Sequence, residues 1–287
     1  MGIAIEGKKL ADEALKNLTV QVKKLKSKGI HPTFIIILVG QNPISLNFIE
    51  QKKKKAESVG IKVLLKKLSS YSNKKRVQET IQKYNLNPKI HGVIVQLPLP
   101  SRLHGATEKI IQTIYPLKDI DGFVKGSPYT PAVALAVLKV LKMIAQNEVR
   151  PCTRTVLVSW LKEKKILIIG RGPTAGRPIA NTFKKLNYSF DVAHSQTKNL
   201  AQLTKKSDVI ISCVGRENLI KGRMLKKEAV AIDVGMSRNS QGKLVGDLEV
   251  ASVSKVASFY TPTPGGTGPL TVASLLENLV KAGKNAS

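Results

Sequence analysis

"ILIIGRGPTAGRP" (residues 166–178) joins an apolar run to a loop that contains three glycines and two arginines. The run is typical of a buried strand, and the residues after it predict a tight turn and a helix that begins near Thr174. Glycines let backbone amides approach a bound group, and a helix N-terminus favours negative charge. The stretch therefore predicts a strand–turn–helix unit that binds an anionic ligand. A tight turn without a ligand stays the alternative, because the G-x-G-x-x-x-G spacing is one residue longer than the usual dinucleotide pattern.

Other apolar runs alternate with helical patterns along the rest of the chain. Strands are predicted at 33–40, 62–65 and 92–97 before the opening stretch, and at 189–194, 208–215 and 228–235 after it. Helices are predicted near 44–59, 74–84, 131–146 and 269–283, and the N-terminus predicts a short strand followed by an amphipathic helix. Apolar strands separated by helices indicate parallel sheets that are covered on both faces, so we expect an α/β protein with two such units.

Length and composition limit the class of protein. The chain has 287 residues, which suits one large domain or two ordinary ones. It has no run of 18 apolar residues, and its N-terminus lacks the pattern of a signal peptide, so we expect a cytoplasmic protein without a membrane span. Cys152 and Cys213 lie far apart in apolar surroundings, so neither a disulfide framework nor a metal site is expected.

The net charge of +28 is the unusual feature of the composition. Such a charge favours anionic neighbours. The lysines are scattered along the chain, many of them in pairs, however, and only residues 52–55 form a longer run. We therefore expect a generally basic surface, which also suits the gathering of anionic small ligands, and no specific nucleic-acid partner. A nucleic-acid binder remains the remote alternative.

Polar residues at predicted strand ends suggest which ligand binds. In a doubly wound sheet the end of the second strand meets the adenosine ribose, and a carboxylate there selects NAD. This chain has Ser195 at that position, and Arg171 lies in the preceding turn. A hydroxyl and a guanidinium suit a 2′-phosphate, so the sequence predicts NADP. His194, beside Ser195, is interpreted as a strand-end residue near the cofactor.

A second set of candidates lies in the first half of the chain. Ser45, Phe48, Lys52 and Ala56 share one face of a predicted helix, which indicates that Lys52 faces the interior or the wall of a cleft. Lys55 is close to the same face, so the spacing does not decide between the two lysines.

Polar residues elsewhere in the chain complete this set of candidates. Gln96 lies at the end of a buried strand, where open α/β sheets place ligand contacts. Asp119 and Asp121 lie at the junction of the two units and suit either a turn or a ligand contact. The Gly- and Pro-rich stretch 261–271 predicts a shaped loop that opens a helix.

These motifs, in this order, resemble the methylenetetrahydrofolate dehydrogenase/cyclohydrolase family of the bacterial FolD type. The resemblance runs nearly end to end. It rests on "GQNPIS" (40–45), "GVIVQLPLP" (92–100), "KDIDGF" (118–123), "RPCT" (150–153), "GRGPTAGRP" (170–178), "HSQTKNL" (194–200), "AIDVGM" (231–236), "VGD" (245–247) and "TPTPGGTGPLTVASLLEN" (261–278).

The resemblance implies a multifunctional enzyme of one-carbon metabolism and purine biosynthesis. Such an enzyme oxidises 5,10-methylenetetrahydrofolate with NADP and hydrolyses the product to 10-formyltetrahydrofolate. By the resemblance, Lys52 is the catalytic lysine, Gln96 accompanies it, and Asp121 holds the pterin ring. The implied folate-binding residues are Phe48, Pro264, Gly265 and Gly266, and the implied cofactor-binding residues are Gly170, Arg171, Gly172, Ser195 and Met236.

The resemblance also implies how the chain is organised. It implies a homodimer whose monomer has two α/β domains flanking a cleft, the second domain being a Rossmann-like doubly wound parallel sheet. The expected boundaries are residues 1–120 plus 269–287 for an N-terminal folate-binding catalytic domain, and residues 121–268 for an NADP-binding domain.

The chain departs from the family pattern at several positions. The family usually has tyrosine four residues before the lysine, where this chain has Phe48. A phenyl ring keeps the stacking on folate but loses a hydrogen bond to the lysine, so a dehydrogenase with a weakened cyclohydrolase is the alternative function. Gly172 replaces a serine, Arg154 follows "PCT" in place of proline, and Thr263 and Thr267 replace valines.

Overall fold

The computed structural model describes residues 1–148 and 154–285. The whole "RPCT" motif (150–153), which includes Cys152, and the side chain of Arg154 lie outside the described part of the chain.

The strands of the described chain are β1 (Ile3–Ala4), β2 (Thr33–Val39), β3 (Lys62–Leu68), β4 (Gly92–Val95), β5 (Ile166–Ile169), β6 (Asp191–Ala193), β7 (Val209–Ser212), β8 (Val230–Asp233), β9 (Ser237–Arg238), β10 (Leu244–Val245) and β11 (Phe259–Tyr260). Its α-helices are α1 (Gly7–Lys26), α2 (Pro43–Ser58), α3 (Lys74–Asn85), α4 (Thr107–Ile111), α5 (Ala132–Glu148), α6 (Arg154–Lys162), α7 (Gly176–Lys185), α8 (Leu200–Lys206), α9 (Val250–Val253) and α10 (Thr267–Asn285). Short 3₁₀ helices span Ser101–Ala106, Pro116–Lys118 and Gly222–Met224.

The chain divides into two compact units, and the division falls inside α1, α5 and α10. The six-stranded unit comprises Met1–Ala11 and Val133–Thr271. The three-stranded unit comprises Asp12–Ala132 and the chain from Val272 onward. Among the described helices, none combines the length and the apolarity that a membrane crossing requires.

The three-stranded unit is built around β2. The strand order is β3-β2-β4, and both pairings are parallel. All seven residues of β2 are buried, as the run "TFIIILV" predicts for a central strand. A side chain at Gly92 of β4 would lie 2.7 Å from the Ile120 side chain and 2.9 Å from that of Leu279. The absence of a side chain at Gly92 therefore lets the Ile120 segment and α10 pack directly on this sheet.

The six-stranded unit contains a parallel sheet in the order β1-β11-β8-β7-β5-β6. Its central strands β5, β7 and β8 are buried throughout. Strands β9 and β10 form a separate antiparallel pair. The prediction of an α/β protein with two parallel sheets is confirmed.

The structure differs from the sequence interpretation at the sheet edges and at one helix start. Strand β3 was predicted as a buried run of four residues, but it spans seven residues and is mostly exposed because it lies at the edge of its sheet. Strand β6 is shorter than predicted, and two of its three residues are exposed for the same reason. Helix α7 begins at Gly176 rather than near Thr174.

The two units also differ from the expected domain boundaries at three places, one of which is residues 269–271, which group with the six-stranded unit. Residues 1–11 group with the six-stranded unit, because β1 pairs with β11 and the Lys8 amide donates to the Gly265 carbonyl at 3.0 Å. Residues 121–132 group with the three-stranded unit, where the Ala132 amide donates to the Asp121 carbonyl at 3.2 Å. The expected division into two domains stays a prediction.

Candidate active site

Helix α2 presents the lysine run of the three-stranded unit. The Asn42 side chain caps the helix by accepting hydrogen bonds from the Ile44 and Ser45 amides at 2.9 and 3.1 Å, and Pro43 occupies the first turn. Ser45 and Ala56 are buried on the predicted inner face, and Phe48 and Lys52 are partly buried. The helical period of the sequence thus predicts the inner face of α2 correctly.

The four consecutive lysines 52–55 have different partners. Lys53 and Lys54 form long ion pairs, 3.9 Å each, with Glu57 and Glu50 one turn away on the exposed side. Lys55 pairs with Asp12 at 3.0 Å in a half-exposed position. The Lys52 amine instead donates a hydrogen bond to the Gln96 side-chain oxygen at 3.0 Å. The structure therefore separates the two lysines that the sequence spacing left undecided, and it brings Lys52 and Gln96 together.

Gln96 is oriented by the backbone around it. Its amide continues the β4 ladder by donating to the Ile37 carbonyl at 2.9 Å. Its side-chain nitrogen donates to the Leu97 carbonyl at 2.7 Å, so its side-chain oxygen faces the Lys52 amine. The buried Gln96 side chain is thus held at both ends, and Lys52 receives a fixed acceptor.

Asp119 and Asp121 have different roles in the turn that follows the Pro116–Lys118 helix. Asp119 is buried, and its carboxylate accepts hydrogen bonds from the Gly122 amide at 3.1 Å and the Val124 amide at 2.7 Å. Burial raises the pKa of the Asp119 carboxyl to about 6, although these amide bonds oppose the shift. Asp119 therefore shapes the turn, whereas the partly exposed Asp121 is the carboxyl that the turn presents.

Lys52 and Asp121 act on each other electrostatically. Burial lowers the pKa of the Lys52 amine below its ordinary value, and the negative charge of Asp121 opposes that shift. Burial raises the pKa of the Asp121 carboxyl, and the positive charge of Lys52 opposes it. Each group therefore favours its neutral form more than it would in water. An amine in this setting can take up a proton as well as donate a hydrogen bond.

The turn that carries Asp121 is also held from α10. The Asn278 side-chain nitrogen donates to the carbonyls of Ile120 at 3.0 Å and Thr130 at 2.9 Å. Asn278 is fully buried and lies 158 residues from Ile120 along the chain. The sequence interpretation gave Asn278 no role, because a single asparagine at the end of a motif does not indicate its distant partners.

The strand–turn–helix of the opening stretch lies in the six-stranded unit. Gly170 has φ +104°, and a side chain there would lie 2.8 Å from the Cys213 carbonyl oxygen. A side chain at Gly176 would lie 2.0 Å from the Gly170 carbonyl oxygen, so the turn packs closely against the start of α7. No side chain caps this helix at Ala175. Its first-turn amides and the small Gly172 form the kind of helix start that receives a phosphate.

The other predicted cofactor residues lie in the same unit. Arg171 and Ser195 are exposed, after β5 and β6 respectively. The His194 amide donates to the Thr197 hydroxyl at 2.9 Å, which fixes the turn around Ser195. Met236 is 38% exposed and follows β8.

The Gly-rich loop before α10 also belongs to this unit. Pro264 is exposed, Gly265 has φ +101°, and Gly266 is buried where a side chain would lie 2.5 Å from the Pro262 carbonyl oxygen. The Thr267 hydroxyl donates to the Asp233 carbonyl at 2.6 Å, and the Thr263 side chain bonds to Asp233 as well. The two threonines that replace the family's valines thus share one buried aspartate as their partner.

Comparison with known proteins identifies the family. The model described as "Tetrahydrofolate dehydrogenase/cyclohydrolase, catalytic domain" matches residues 5–121, and the NAD(P)-binding domain model of the same family matches residues 151–287. The chain belongs to the tetrahydrofolate dehydrogenase/cyclohydrolase family. The family resemblance drawn from the sequence motifs, and the Rossmann-like NAD(P)-binding domain it implied, are confirmed.

Family members of similar length match the whole chain. The bifunctional protein FolD of Bacillus velezensis is 36% identical over 288 residues, which cover 98% of this chain and 97% of the relative. The crystal structure of the FolD dehydrogenase/cyclohydrolase from Campylobacter jejuni has a TM-score of 0.89 at 34% identity and 99% coverage of both chains. The Trypanosoma brucei enzyme, complexed with NADP cofactor and an inhibitor, has a TM-score of 0.87 at 28% identity, with 99% of this chain and 98% of that chain covered.

Proposed function

We propose that this member of the family is a bifunctional enzyme. In the first step it oxidises 5,10-methylenetetrahydrofolate to the 5,10-methenyl cation with NADP⁺, and in the second it hydrolyses that cation to 10-formyltetrahydrofolate with release of one proton. Membership of the family, at full length, supports the reaction type. The observation that carries the assignment to residues is the Lys52 amine, which is hydrogen-bonded to Gln96 and has a lowered pKa.

Lys52 is proposed to accept the proton in the hydrolytic step. Water that attacks the methenyl carbon must lose a proton, and a neutral amine can take it. Burial favours the neutral form of Lys52, and the Gln96 oxygen fixes the direction of the amine. Asp121, on the adjoining turn, is proposed to bind the pterin ring through its carboxyl group, and Asn278 holds the turn that carries it.

Phe48 supports a second candidate, a dehydrogenase whose cyclohydrolase is weak. The phenyl ring lies one helical turn before Lys52 and has no hydroxyl group to donate to the amine. Gln96 is the acceptor that the described structure provides to Lys52. The two candidates differ only in the rate of the hydrolytic step, so one assay distinguishes them.

NADP is the proposed cofactor, and the six-stranded unit fits it. The uncapped start of α7 and the adjoining glycines suit its diphosphate, and Arg171 and Ser195 suit its 2′-phosphate. Met236 is proposed to line the cofactor site, whereas Pro264, Gly265 and Gly266 are proposed to contact folate. When bound, NADP⁺ supplies the acceptor for the hydride. The contribution of the chain is then to hold folate and cofactor in position.

The proposal includes a homodimer that acts in the cytoplasm. Strand β3 pairs only with β2 in the described chain, so its outer edge is open, and Leu65 on that strand is 42% exposed. An open, partly apolar strand edge suits pairing with a second copy. Light scattering after gel filtration is expected to give twice the mass of one chain, and a monomer at micromolar concentration would reject the dimer.

The deciding experiment is a spectrophotometric assay of the purified protein. With methylenetetrahydrofolate, NADP⁺ is expected to be reduced and NAD⁺ to support a slower rate. With methenyltetrahydrofolate, the absorbance of the cation is expected to decay faster than in buffer alone. Reduction of NADP⁺ without faster decay of the cation would favour the dehydrogenase-only candidate. The absence of both signals would reject the proposed function.

A further inference from the structure

Two buried carboxylates of the six-stranded unit, Asp233 and Asp247, have no role in the function proposed above. Both are fully shielded from solvent. Asp233 ends β8, and Asp247 lies two residues after β10. A buried carboxylate is costly unless hydrogen bonds compensate for its lost hydration, so its hydrogen bonds indicate which part of the chain it holds.

The Asp247 carboxylate holds the chain that leaves β7. Its Oδ2 accepts the Ser212 hydroxyl at 2.6 Å and the Val214 amide at 2.8 Å, and its Oδ1 accepts the Arg216 amide at 2.7 Å. Ser212 is the last residue of β7. One side chain therefore fixes the backbone course of residues 212–216.

The same carboxylate also determines the backbone beside Met236. A side chain at Gly235 would lie 2.2 Å from Asp247 Oδ2, so the carboxylate occupies the space that a side chain would fill. At Gly215, whose φ is +76°, a side chain would lie 3.1 Å from the Met236 carbonyl oxygen. The 212–216 segment and the backbone at Gly235 and Met236 thus meet around one carboxylate.

Asp233 anchors Asp247 in turn. The Asp233 carboxylate accepts the Asp247 amide at 3.1 Å through Oδ1 and the Leu248 amide at 3.1 Å through Oδ2. The Asp233 amide donates to the Thr261 hydroxyl at 2.7 Å, and its carbonyl accepts from Thr267. Asp247 is therefore fixed in place before any ligand binds.

We propose that Asp247 is a positioning residue for the nicotinamide end of the bound cofactor. The inference rests on the proposed function and deepens it. Open α/β sheets bind ligands at the carboxyl ends of their strands, and residues 213–216 and Met236 follow β7 and β8 at those ends. The turn after β5 is assigned to the phosphates and Ser195 to the ribose, which leaves the ends of β7 and β8 for the nicotinamide. Asp247 acts through the backbone that it holds.

The test compares Asp247→Asn and Ser212→Ala with Thr204→Val as the matched control. Thr204 lies on α8 and is also fully buried in the six-stranded unit; its hydroxyl donates to the Met224 carbonyl at 2.7 Å, and it takes no part in the hydrogen bonds of Asp233 and Asp247. For each protein, calorimetry gives the Kd of NADP⁺, and kinetics give KM and kcat of the dehydrogenase. The cyclohydrolase rate without NADP⁺, measured on the same preparation, reports whether the three-stranded unit remains functional.

We expect Asp247→Asn to raise the Kd and KM for NADP⁺ about tenfold and to leave the cyclohydrolase rate unchanged. Ser212→Ala removes one of the three donors and is expected to raise the Kd about threefold. Thr204→Val is expected to lower the melting temperature while its NADP⁺ Kd stays at the wild-type value.

Three results would overturn the inference. Asp247→Asn could bind NADP⁺ as tightly as Thr204→Val, which would mean that Asp247 only stabilises the unit. If Asp247→Asn does not fold, a wild-type Kd in Ser212→Ala overturns the inference instead. Failure of the wild-type protein to bind NADP⁺ would also overturn the inference. Wild-type protein that binds NADP⁺ but does not convert folate would count against the proposed function alone.

Discussion

Replacing Lys52 with methionine tests the proposed proton acceptor directly. Methionine keeps an unbranched, flexible side chain of similar reach and removes the amine. In the wild-type structure that amine lies 3.0 Å from Gln96 Oε1. A thioether can neither donate to that oxygen nor take a proton from water at neutral pH. Lys52→Met should therefore lose the hydrolytic step while it keeps the shape of α2.

The expected loss follows from the role of the group. A positioned acid or base contributes about 10²–10⁴ to a rate, so the cyclohydrolase kcat should fall by about that factor. The hydride step needs mainly positioning, so dehydrogenase activity should persist. The wild-type hydrolysis rate should also rise with pH through the lowered pKa of Lys52, because only the neutral amine accepts a proton, and this rise should be absent in Lys52→Met.

Lys55→Met is the matched control from the same lysine run. Lys55 forms a 3.0 Å ion pair with Asp12, in which the side chains are 41% and 44% exposed. Exposed pairs of this kind contribute about 0–1 kcal/mol to stability, so both activities should stay at the wild-type level. The readout for all variants is the decay of methenyltetrahydrofolate absorbance. A Lys52→Met protein that hydrolyses the cation as fast as Lys55→Met would refute the assignment of Lys52.

Three further predictions concern other parts of the chain. Phe48→Tyr supplies a phenol one turn before Lys52 and should raise the cyclohydrolase rate several-fold without changing dehydrogenase kcat; an unchanged rate would mean that Gln96 suffices to orient the amine. Asn278→Ala removes both hydrogen bonds to the turn that carries Asp121 and should raise KM for folate more than KM for NADP⁺ in steady-state kinetics. Equal effects on the two KM values would contradict the role of Asn278 in holding that turn. Burial raises the pKa of Asp233 from 3.8 to about 7, so between these pH values the carboxyl group is protonated in the folded protein and ionised in the unfolded chain. The contribution of Asp233 to stability is full below its unfolded pKa of 3.8 and is lost as the pH rises to about 7. When the pH is raised over that range, the melting temperature of Asp233→Asn should therefore fall less than that of the wild type. Melting temperatures that fall in parallel would exclude the effect.

Local patterns in the sequence predict the elements that are buried on both faces. The run "TFIIILV" becomes the central strand of its sheet, and "ILII" becomes β5 with its glycine turn. The spacing of Ser45, Phe48, Lys52 and Ala56 places Lys52 on the inner side of α2, because side chains follow the helical period whatever the neighbours are.

Strand order and distant partners are not encoded in such patterns. "KVLL" is apolar enough to suggest a buried strand, yet β3 lies at an edge because its position depends on the path of the whole chain. The choice between Lys52 and Lys55 depends on Gln96 and Asp12, which lie 44 and 43 residues away. Asp233, Asp247 and Asn278 stand out only when their partners are known.

The bonds from Asn278 to Ile120 and Thr130 have a consequence for the order of events during synthesis. Strands β2, β3 and β4 emerge from the ribosome early. The two hydrogen bonds that hold the turn carrying Asp121 can form only after residue 278 has left the exit tunnel. Strands β5 to β11 of the six-stranded unit lie between β4 and residue 278 along the chain. These strands are therefore translated before the three-stranded unit can be completed.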